Sequence, residues 1–218
     1  ACRSCSPIYS TKWYKDAHVI GLEKEAKGVI DSGFKVEDFR KELAEVESLN
    51  FAGGEPTMQD QFYETLDYLL EVGNTDVEIY MTTNISVMQH KGRNPWELLS
   101  NFPHVCMVAS LDAEGNRAEL VRYGTDWNET IEVWKEIRRQ LPGRWKQAAA
   151  TTGVLNAWHV PDFFDSWIQQ GLLDDPDKCS INPIHEPIWL NARILPPEFK
   201  EEINKKFKAF VNKYPGYN

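Results

Sequence analysis

A regular alternation of amphipathic helical segments with short apolar segments runs along this 218-residue chain and limits the folds it can adopt. Val36, Phe39, Leu43 and Val46, for example, recur at the three- and four-residue spacings of one helix face. The pattern predicts helices over residues 35–46, 57–72, 95–102, 126–141, 161–172 and 197–213, and strands over residues 46–52, 77–83, 104–111, 145–155 and 179–183. Strands separated by helices predict one α/β domain with a parallel sheet and right-handed crossovers, either open or rolled into a barrel.

The composition excludes several classes of protein. The formal net charge is −9, which disfavours nucleic-acid binding because that function requires a basic surface. No apolar run approaches the roughly 20 residues that cross a bilayer. Four cysteines are too few for a disulfide-stapled scaffold, and no signal peptide opens the chain. We therefore expect a soluble cytoplasmic protein without nucleic-acid or membrane partners.

Polar residues follow the carboxyl ends of four predicted strands, which is where α/β sheets and barrels carry their functional sites. Because side chains alternate along a strand, two residues two positions apart share one face of the sheet. Any one of these residues could be an ordinary turn or helix cap, but four such sets in succession favour a binding site. The sets are Gly53-Gly54-Glu55-Pro56, Thr82-Thr83-Asn84, Ser110-Leu111-Asp112 and Leu155-Asn156.

The cysteines differ in their surroundings. Cys106 lies inside an apolar predicted strand, where a cysteine behaves as a small hydrophobic residue, and Cys179 begins another strand without a second cysteine nearby. Cys2 and Cys5 form a Cys-x-x-Cys pair, which is typical of metal ligands or of a thiol-disulfide centre. The five histidines show no metal-pair spacing.

Several of these motifs resemble radical S-adenosylmethionine enzymes. Residues 1–7 with Lys12 and Trp13 are similar to the last part of that family's Cys-x3-Cys-x2-Cys loop, and residues 49–56 resemble its glycine-glycine-glutamate-proline strand end. The Thr82-Thr83-Asn84 and Ser110-Leu111-Asp112 sequences and residues 122–127 resemble the subgroup that carries a "twitch" C-terminal domain. These matches extend from Cys2 to about His185.

The resemblance implies a partial (β/α)6 TIM-like barrel with parallel strands, of which the first strand is missing from this chain. Residues 1–218 would then be an incomplete core domain, and a twitch domain would follow Asn218. In the family, three cysteines hold a [4Fe-4S] cluster whose reduction splits S-adenosylmethionine to a 5′-deoxyadenosyl radical that abstracts hydrogen from a substrate. Cys2 and Cys5 would supply two of the metal ligands, and the third cysteine would lie upstream of Ala1.

The same resemblance implies a set of cofactor-binding residues. Gly53, Gly54 and Glu55 would face the methionine amine of S-adenosylmethionine. Its carboxylate and ribose would face Thr82, Asn84 and Ser110, and its adenine would lie near Asn156. The implied partners are an electron donor such as flavodoxin or ferredoxin, and a substrate that is a peptide or a small metabolite.

Two other functions stay open at the level of sequence. A Cys2–Cys5 thiol-disulfide oxidoreductase would leave the polar strand ends unexplained. A non-catalytic module could keep the cofactor pocket without a cluster. A cysteine at the expected position upstream of Ala1 would favour the enzyme over this module.

Overall fold

The computed structural model describes residues 17–21 and 33–215. Parallel β-strands alternate with helical segments along this part of the chain. The strands are β1 (Ser48–Phe51), β2 (Glu78–Thr83), β3 (Val105–Ser110), β4 (Trp145–Thr152) and β5 (Cys179–Pro183). The α-helices are α1 (Arg40–Glu45), α2 (Asp60–Val72), α3 (Pro95–Leu99), α4 (Gly115–Val121), α5 (Trp127–Gln140), α6 (Val160–Gln169) and α7 (Pro197–Lys213), and 3-10 turns cover Val36–Phe39, Pro56–Met58, Pro176–Lys178, Ile188–Leu190 and Ala192–Ile194.

The five strands form one sheet in the order β1-β2-β3-β4-β5, so that each strand lies beside the next one in the chain. The β1–β2, β2–β3 and β4–β5 pairs are parallel. A doubly wound fold reverses its strand order at a switch point, whereas a (β/α) barrel adds strands in sequence order. The prediction of an α/β fold with the strand order of a partial TIM-like barrel is confirmed.

The described residues divide into two compact units. The first unit comprises residues 33–109 and 128–146, and the second comprises residues 17–21, 110–127 and 147–215. In the first, the aromatic residues Trp96, Phe102 and Trp134 are completely buried, and Phe62 of α2 packs edge-on against Phe51 of β1 with ring centroids 4.9 Å apart. The second has its own aromatic core, formed by Phe163, Phe164, Trp167 and Phe210.

Glycine at the end of α2 shows how local sequence fixes an element boundary. Gly73 has φ 76°, and its backbone N–H donates to the carbonyls of Leu69 and Leu70. A side chain is disfavoured at this left-handed position, which makes glycine a common helix stop. The predicted end of the helix at Val72 is therefore confirmed.

Two sequence predictions about the strands were wrong in part. The almost continuous apolar run over residues 104–111 predicts a strand buried on both faces, but in β3 only Val105, Met107 and Ala109 are fully buried, while Cys106 and Val108 are half-buried. The strand predicted over residues 145–155 ends at Thr152, and residues 153–159 form a turn before α6. Helix α4 was not predicted, because seven residues that begin with glycine and asparagine carry little helical periodicity.

Candidate functional site

Gly53 and Gly54 form an exposed loop directly after β1. Both have positive φ, 85° at Gly53 and 49° at Gly54, so L side chains would be strained at either position. A Cβ added at Gly53 would meet no atom within 4 Å, and one added at Gly54 would lie 3.2 Å from the Gln59 side-chain nitrogen. The loop thus presents bare backbone amide and carbonyl groups to the surrounding space.

Glu55 fixes this loop to the end of β2. Its side chain is 8% exposed, and its Oε1 accepts hydrogen bonds from the Thr57 hydroxyl at 2.7 Å and the Thr83 hydroxyl at 2.8 Å. The backbone N–H of Asn84 donates to Oε2 at 2.7 Å. A buried carboxylate requires such donors, because an unpaired one would pay a large desolvation penalty. We call Gly53, Gly54, Glu55, Thr83 and Asn84 the Glu55 cluster.

The two threonines at the end of β2, the predicted Thr82 and its neighbour Thr83, lie on opposite faces of the strand. Thr83 is 1% exposed and contacts Glu55, whereas Thr82 is exposed on the opposite face of β2. The Thr83 hydroxyl also accepts from the backbone N–H of Ile85 at 3.0 Å. Sequence reasoning therefore missed Thr83 as the residue that links the two strand ends. The alternation of apolar Ile79 and Met81 with polar residues was the signal that could have assigned Thr83 to the buried face of β2.

A second polar cluster lies within the second unit, around Asp112. This side chain is fully buried, and its two oxygens accept from the backbone N–H of Thr151 at 2.8 Å and from Arg122 Nε at 2.8 Å. Arg122 Nη2 donates in turn to the Ser110 hydroxyl at 2.7 Å. We call Ser110, Asp112, Arg122, Thr151 and Asn156 the Asp112 cluster.

Asn156 completes this cluster from the turn after β4. Its amide nitrogen donates to the carbonyls of Asp112 at 2.8 Å and Thr151 at 2.9 Å, and its Oδ1 accepts from the Gly153 N–H at 2.9 Å. The side chain is 2% exposed. Both the nitrogen and the oxygen of the amide hold backbone groups, so Asn156 shapes the end of β4 for its neighbours.

Arg122 and Asp112 were not among the predicted binding residues, although both lie in motifs that the sequence drew attention to. Ser110 and Asn156 were predicted, and the structure joins them through Asp112 and Arg122. The Ser110 hydroxyl accepts from a guanidinium and keeps its own hydrogen to donate. Pairing of an aspartate with an arginine 10 residues later depends on the fold and has no local periodic signal.

The predicted metal ligands Cys2 and Cys5 lie outside the described residues. Within residues 17–21 and 33–215, no group of three or more His, Cys, Asp or Glu side chains could hold a metal ion. Burial raises the pKa of the Cys179 thiol to about 12, which keeps it protonated at neutral pH. This agrees with its interpretation as a structural residue.

The part of the chain that the structure describes contains no helix that is both long and apolar enough to cross a membrane.

Comparisons with known proteins give matches among solved structures alone. No protein-family model and no curated protein matches the chain. SuiB of Streptococcus suis bound to precursor peptide SuiA aligns with a TM-score of 0.61 and 15% identity, over 98% of this chain and 43% of SuiB. The structure of SuiB bound to S-adenosylmethionine aligns with a TM-score of 0.57 and 16% identity, over 83% of this chain and 40% of SuiB. Native anSMEcpe with bound AdoMet and the Cp18Cys peptide aligns with a TM-score of 0.64 and 14% identity, over 98% of this chain and 56% of anSMEcpe.

These structural neighbours are radical S-adenosylmethionine enzymes. The chain spans between two fifths and somewhat more than half of their length. At 14–16% identity, the likeness establishes a shared fold and leaves activity to be argued from the residues. The chain has the fold of the core of radical S-adenosylmethionine enzymes.

Proposed function

We propose that this chain is the core of a radical S-adenosylmethionine enzyme that cleaves its cofactor reductively and abstracts hydrogen from a peptide substrate. The Glu55 cluster carries the proposal. Gly53 and Gly54 present bare backbone at the carboxyl end of β1, and a Cβ at Gly53 would extend into open space. This backbone fits a ligand with a cationic amine, since carbonyl oxygens accept from an ammonium group. The methionine end of S-adenosylmethionine carries such an amine.

Within this proposal, Glu55 holds the loop in position. Its carboxylate is occupied by the Thr57, Thr83 and Asn84 donors, so it acts on the ligand through the backbone of Gly53 and Gly54. This differs from the first expectation, in which Glu55 itself faced the amine as Gly53 and Gly54 did. Thr82 and Asn84 stay proposed cofactor contacts from β2 and the residue after it.

The Asp112 cluster supplies donors for a carboxylate. Arg122 carries a positive charge and holds the Ser110 hydroxyl, whose hydrogen can be donated to an anionic group. Asp112 orients the guanidinium through Nε, which fixes the direction of the Nη2 contact. We assign Ser110 as a contact of the carboxylate or the ribose of S-adenosylmethionine. Asn156 then acts on the adenine indirectly, by positioning the backbone of Asp112, Thr151 and Gly153 beside it.

The remaining parts of the proposal rest on the sequence resemblance. Cys2, Cys5 and a cysteine upstream of Ala1 would hold the [4Fe-4S] cluster, which supplies the electron when bound. An external donor such as flavodoxin or ferredoxin would reduce it, and a twitch domain would follow the core. A peptide substrate is favoured over a small metabolite because SuiB and anSMEcpe have both been observed with bound peptides.

The direct test is release of 5′-deoxyadenosine from S-adenosylmethionine by the upstream-extended protein, reconstituted anaerobically with iron and sulfide and reduced with dithionite. We expect release in cluster-loaded protein and none in apoprotein. If protein with an intact cluster binds S-adenosylmethionine without cleaving it, the chain is a binding module. Cys2–Cys5 redox cycling in protein that never acquires iron would instead support the oxidoreductase.

A cysteine series tests the metal ligands. In the extended, reconstituted protein, Cys2→Ala and Cys5→Ala should each abolish the broad absorption at roughly 400 nm that thiolate-bound iron gives. Cys106→Ala and Cys179→Ala should retain it, because Cys106 lies in β3 and the Cys179 thiol is buried and protonated. Equal loss of absorption in all four variants would show that the ligand assignment is wrong.

Two substitutions test the cofactor contacts separately from the fold. We expect Gly54→Val and Ser110→Ala to raise the dissociation constant for S-adenosylmethionine about tenfold, which is ~1.4 kcal/mol of binding free energy. Gly54→Val places a side chain at φ 49° on the ligand-facing loop, and Ser110→Ala removes the donor next to Arg122. Calorimetric titration and thermal melting of the same samples provide the comparison. Unchanged affinity in both variants would reduce these residues to turn-forming roles.

A further inference from the structure

Tyr63, on the buried face of α2, is a polar residue that belongs to neither of the two polar clusters. It is 3% exposed, and its hydroxyl donates to the Thr57 carbonyl at 2.9 Å. Burial raises the pKa of Tyr63 to about 12, so the phenol keeps its hydrogen at neutral pH and acts as a donor. The hydroxyl thus adds a directed contact at a position whose packing a phenylalanine would satisfy nearly as well.

Thr57 connects this hydrogen bond to the Glu55 cluster. Its carbonyl accepts from Tyr63, while its hydroxyl and its backbone N–H donate to Glu55 Oε1 at 2.7 and 3.4 Å. Thr57 has no exposed surface and lies in the Pro56–Met58 3-10 turn, close behind the Gly53-Gly54 loop. A single buried residue therefore joins the first turn of α2 to the carboxylate that holds this loop.

The Tyr63 ring is held by the segment that connects β2 to α3. His90 stacks on it with ring centroids 5.7 Å apart and an interplanar angle of 18°, and the Arg93 guanidinium carbon lies 4.9 Å from its centroid. Arg93 is fixed in turn by two hydrogen bonds to Asp67 of α2, at 2.6 and 2.8 Å. Because a phenol oxygen moves only with its ring, these contacts set the position of the hydroxyl at Thr57.

The same connecting segment reaches the Glu55 carboxylate at its other end. The Asn84 N–H donates to Oε2 at 2.7 Å, and the next residue, Ile85, has φ 49° although it is β-branched. Such a conformation is strained and persists only where the surroundings impose it. Ile85 is completely buried, and its N–H donates to the Thr83 hydroxyl at 3.0 Å. The carboxylate is therefore held both from the end of β2 and, through Thr57, from Tyr63.

We propose that Tyr63 is a positioning residue for the Gly53-Gly54 loop, and through the loop for S-adenosylmethionine; this inference rests on the proposed function. Tyr63 acts through Thr57, which holds the Glu55 carboxylate. Without the phenol hydroxyl, the buried Thr57 carbonyl would lose a donor and the Pro56–Met58 turn would be less constrained. Because the loop would hold the cofactor alike before and during the reaction, Tyr63 sets the affinity for it and leaves the chemical step unchanged.

The test compares two tyrosines of α2 that make the same kinds of contact. Tyr68 also donates to a backbone carbonyl, that of Arg40 at 2.8 Å, and its ring lies 4.8 Å from the Arg40 guanidinium carbon, so its contacts lead to α1. In the extended, cluster-loaded protein, Tyr63→Phe should raise the dissociation constant for S-adenosylmethionine about fivefold, while Tyr68→Phe should change it less than about twofold. The rate of 5′-deoxyadenosine release at saturating S-adenosylmethionine should stay at the wild-type value in both variants.

A double-mutant cycle tests whether Tyr63 acts through Thr57. Thr57→Val removes the hydroxyl that donates to Glu55 and should raise the dissociation constant about tenfold, whereas Thr57→Ser, which keeps the hydroxyl, should restore nearly wild-type binding. Adding Tyr63→Phe to Thr57→Val should give no further loss, because the contact that Tyr63 supports is already broken. A combined loss of about fiftyfold, the product of the two single effects, would show that Tyr63 acts by another route and would overturn the inference.

Hydrogen exchange followed by mass spectrometry gives a measurement that needs no cofactor. Without S-adenosylmethionine, Tyr63→Phe should speed the exchange of backbone amides in residues 53–59, and Tyr68→Phe should not. Unchanged exchange in this segment, or faster exchange throughout the chain, would overturn the inference, as would unchanged cofactor affinity in Tyr63→Phe. If the wild type binds no S-adenosylmethionine while residues 53–59 respond as expected, the proposed function fails and the positioning of the loop by Tyr63 stands.

Discussion

Replacing Asp112 by alanine is expected to lower the free energy of unfolding by about 3–5 kcal/mol, the cost of breaking a buried ion pair. The Asp112 side chain has no exposed surface, and Arg122, 17% exposed, would lose the carboxylate that compensates its charge. The Thr151 N–H would lose its acceptor as well. Urea unfolding followed by circular dichroism measures the change.

Two further variants give this prediction its controls. Asp175→Ala removes an exposed aspartate from the same unit, one without a side-chain capping bond, and should change stability by less than about 0.5 kcal/mol. Arg122→Lys keeps a positive charge near Asp112. It loses the planar guanidinium, which contacts Asp112 through Nε and Ser110 through Nη2 at the same time. It should therefore retain more stability than Asp112→Ala while weakening S-adenosylmethionine binding as Ser110→Ala does. A loss below about 1 kcal/mol for Asp112→Ala would refute the assignment of Asp112 as the organiser of its cluster.

Replacing Glu55 by alanine should cost about 3 kcal/mol of stability, because the donors from Thr57, Thr83 and Asn84 would lose a charged acceptor. Glu55→Gln should cost roughly half as much. Its carbonyl can still accept from the two hydroxyls, but its NH2 group would meet the Asn84 N–H, so that two donors would face each other. Urea unfolding of the wild type and both variants provides the ranking.

The effect on ligand binding distinguishes a local role from a general one. Because Glu55 fixes the Gly53-Gly54 loop, Glu55→Gln should weaken S-adenosylmethionine binding by about tenfold or more even at temperatures where the variant is fully folded. Glu64→Ala on α2 is the matched control, since Glu64 is exposed in the same unit. Glu55→Gln with wild-type affinity would show that the loop conformation does not depend on the Glu55 carboxylate.

The helices and strands could be predicted largely from the sequence because their signals are local. The α7 helix begins at Pro197 and ends at Lys213 as the apolar periodicity indicates, and β5 covers Cys179–Pro183 as expected. The alternation of strands with helices predicted a parallel sheet with right-handed crossovers, while the sequential strand order of a barrel was implied only by the family resemblance. Boundaries failed where a tertiary contact ended an element. At the end of β4, a Cβ on Gly153 would lie 2.3 Å from the Leu190 carbonyl oxygen, so the turn there depends on a segment about 37 residues away.

The candidate site was predicted as a set of strand ends, and the sequence by itself determined that polar residues and two glycines stand there. The tertiary structure alone decided the partners: Thr83 rather than Thr82 reaches Glu55, 28 residues away, and Arg122 links Ser110 to Asp112. Apolar periodicity reports which face of an element is buried, since burial repeats every two or 3.6 residues. A hydrogen bond between strand ends depends on register and on the direction of two side chains, and neither quantity is encoded in any short stretch of residues.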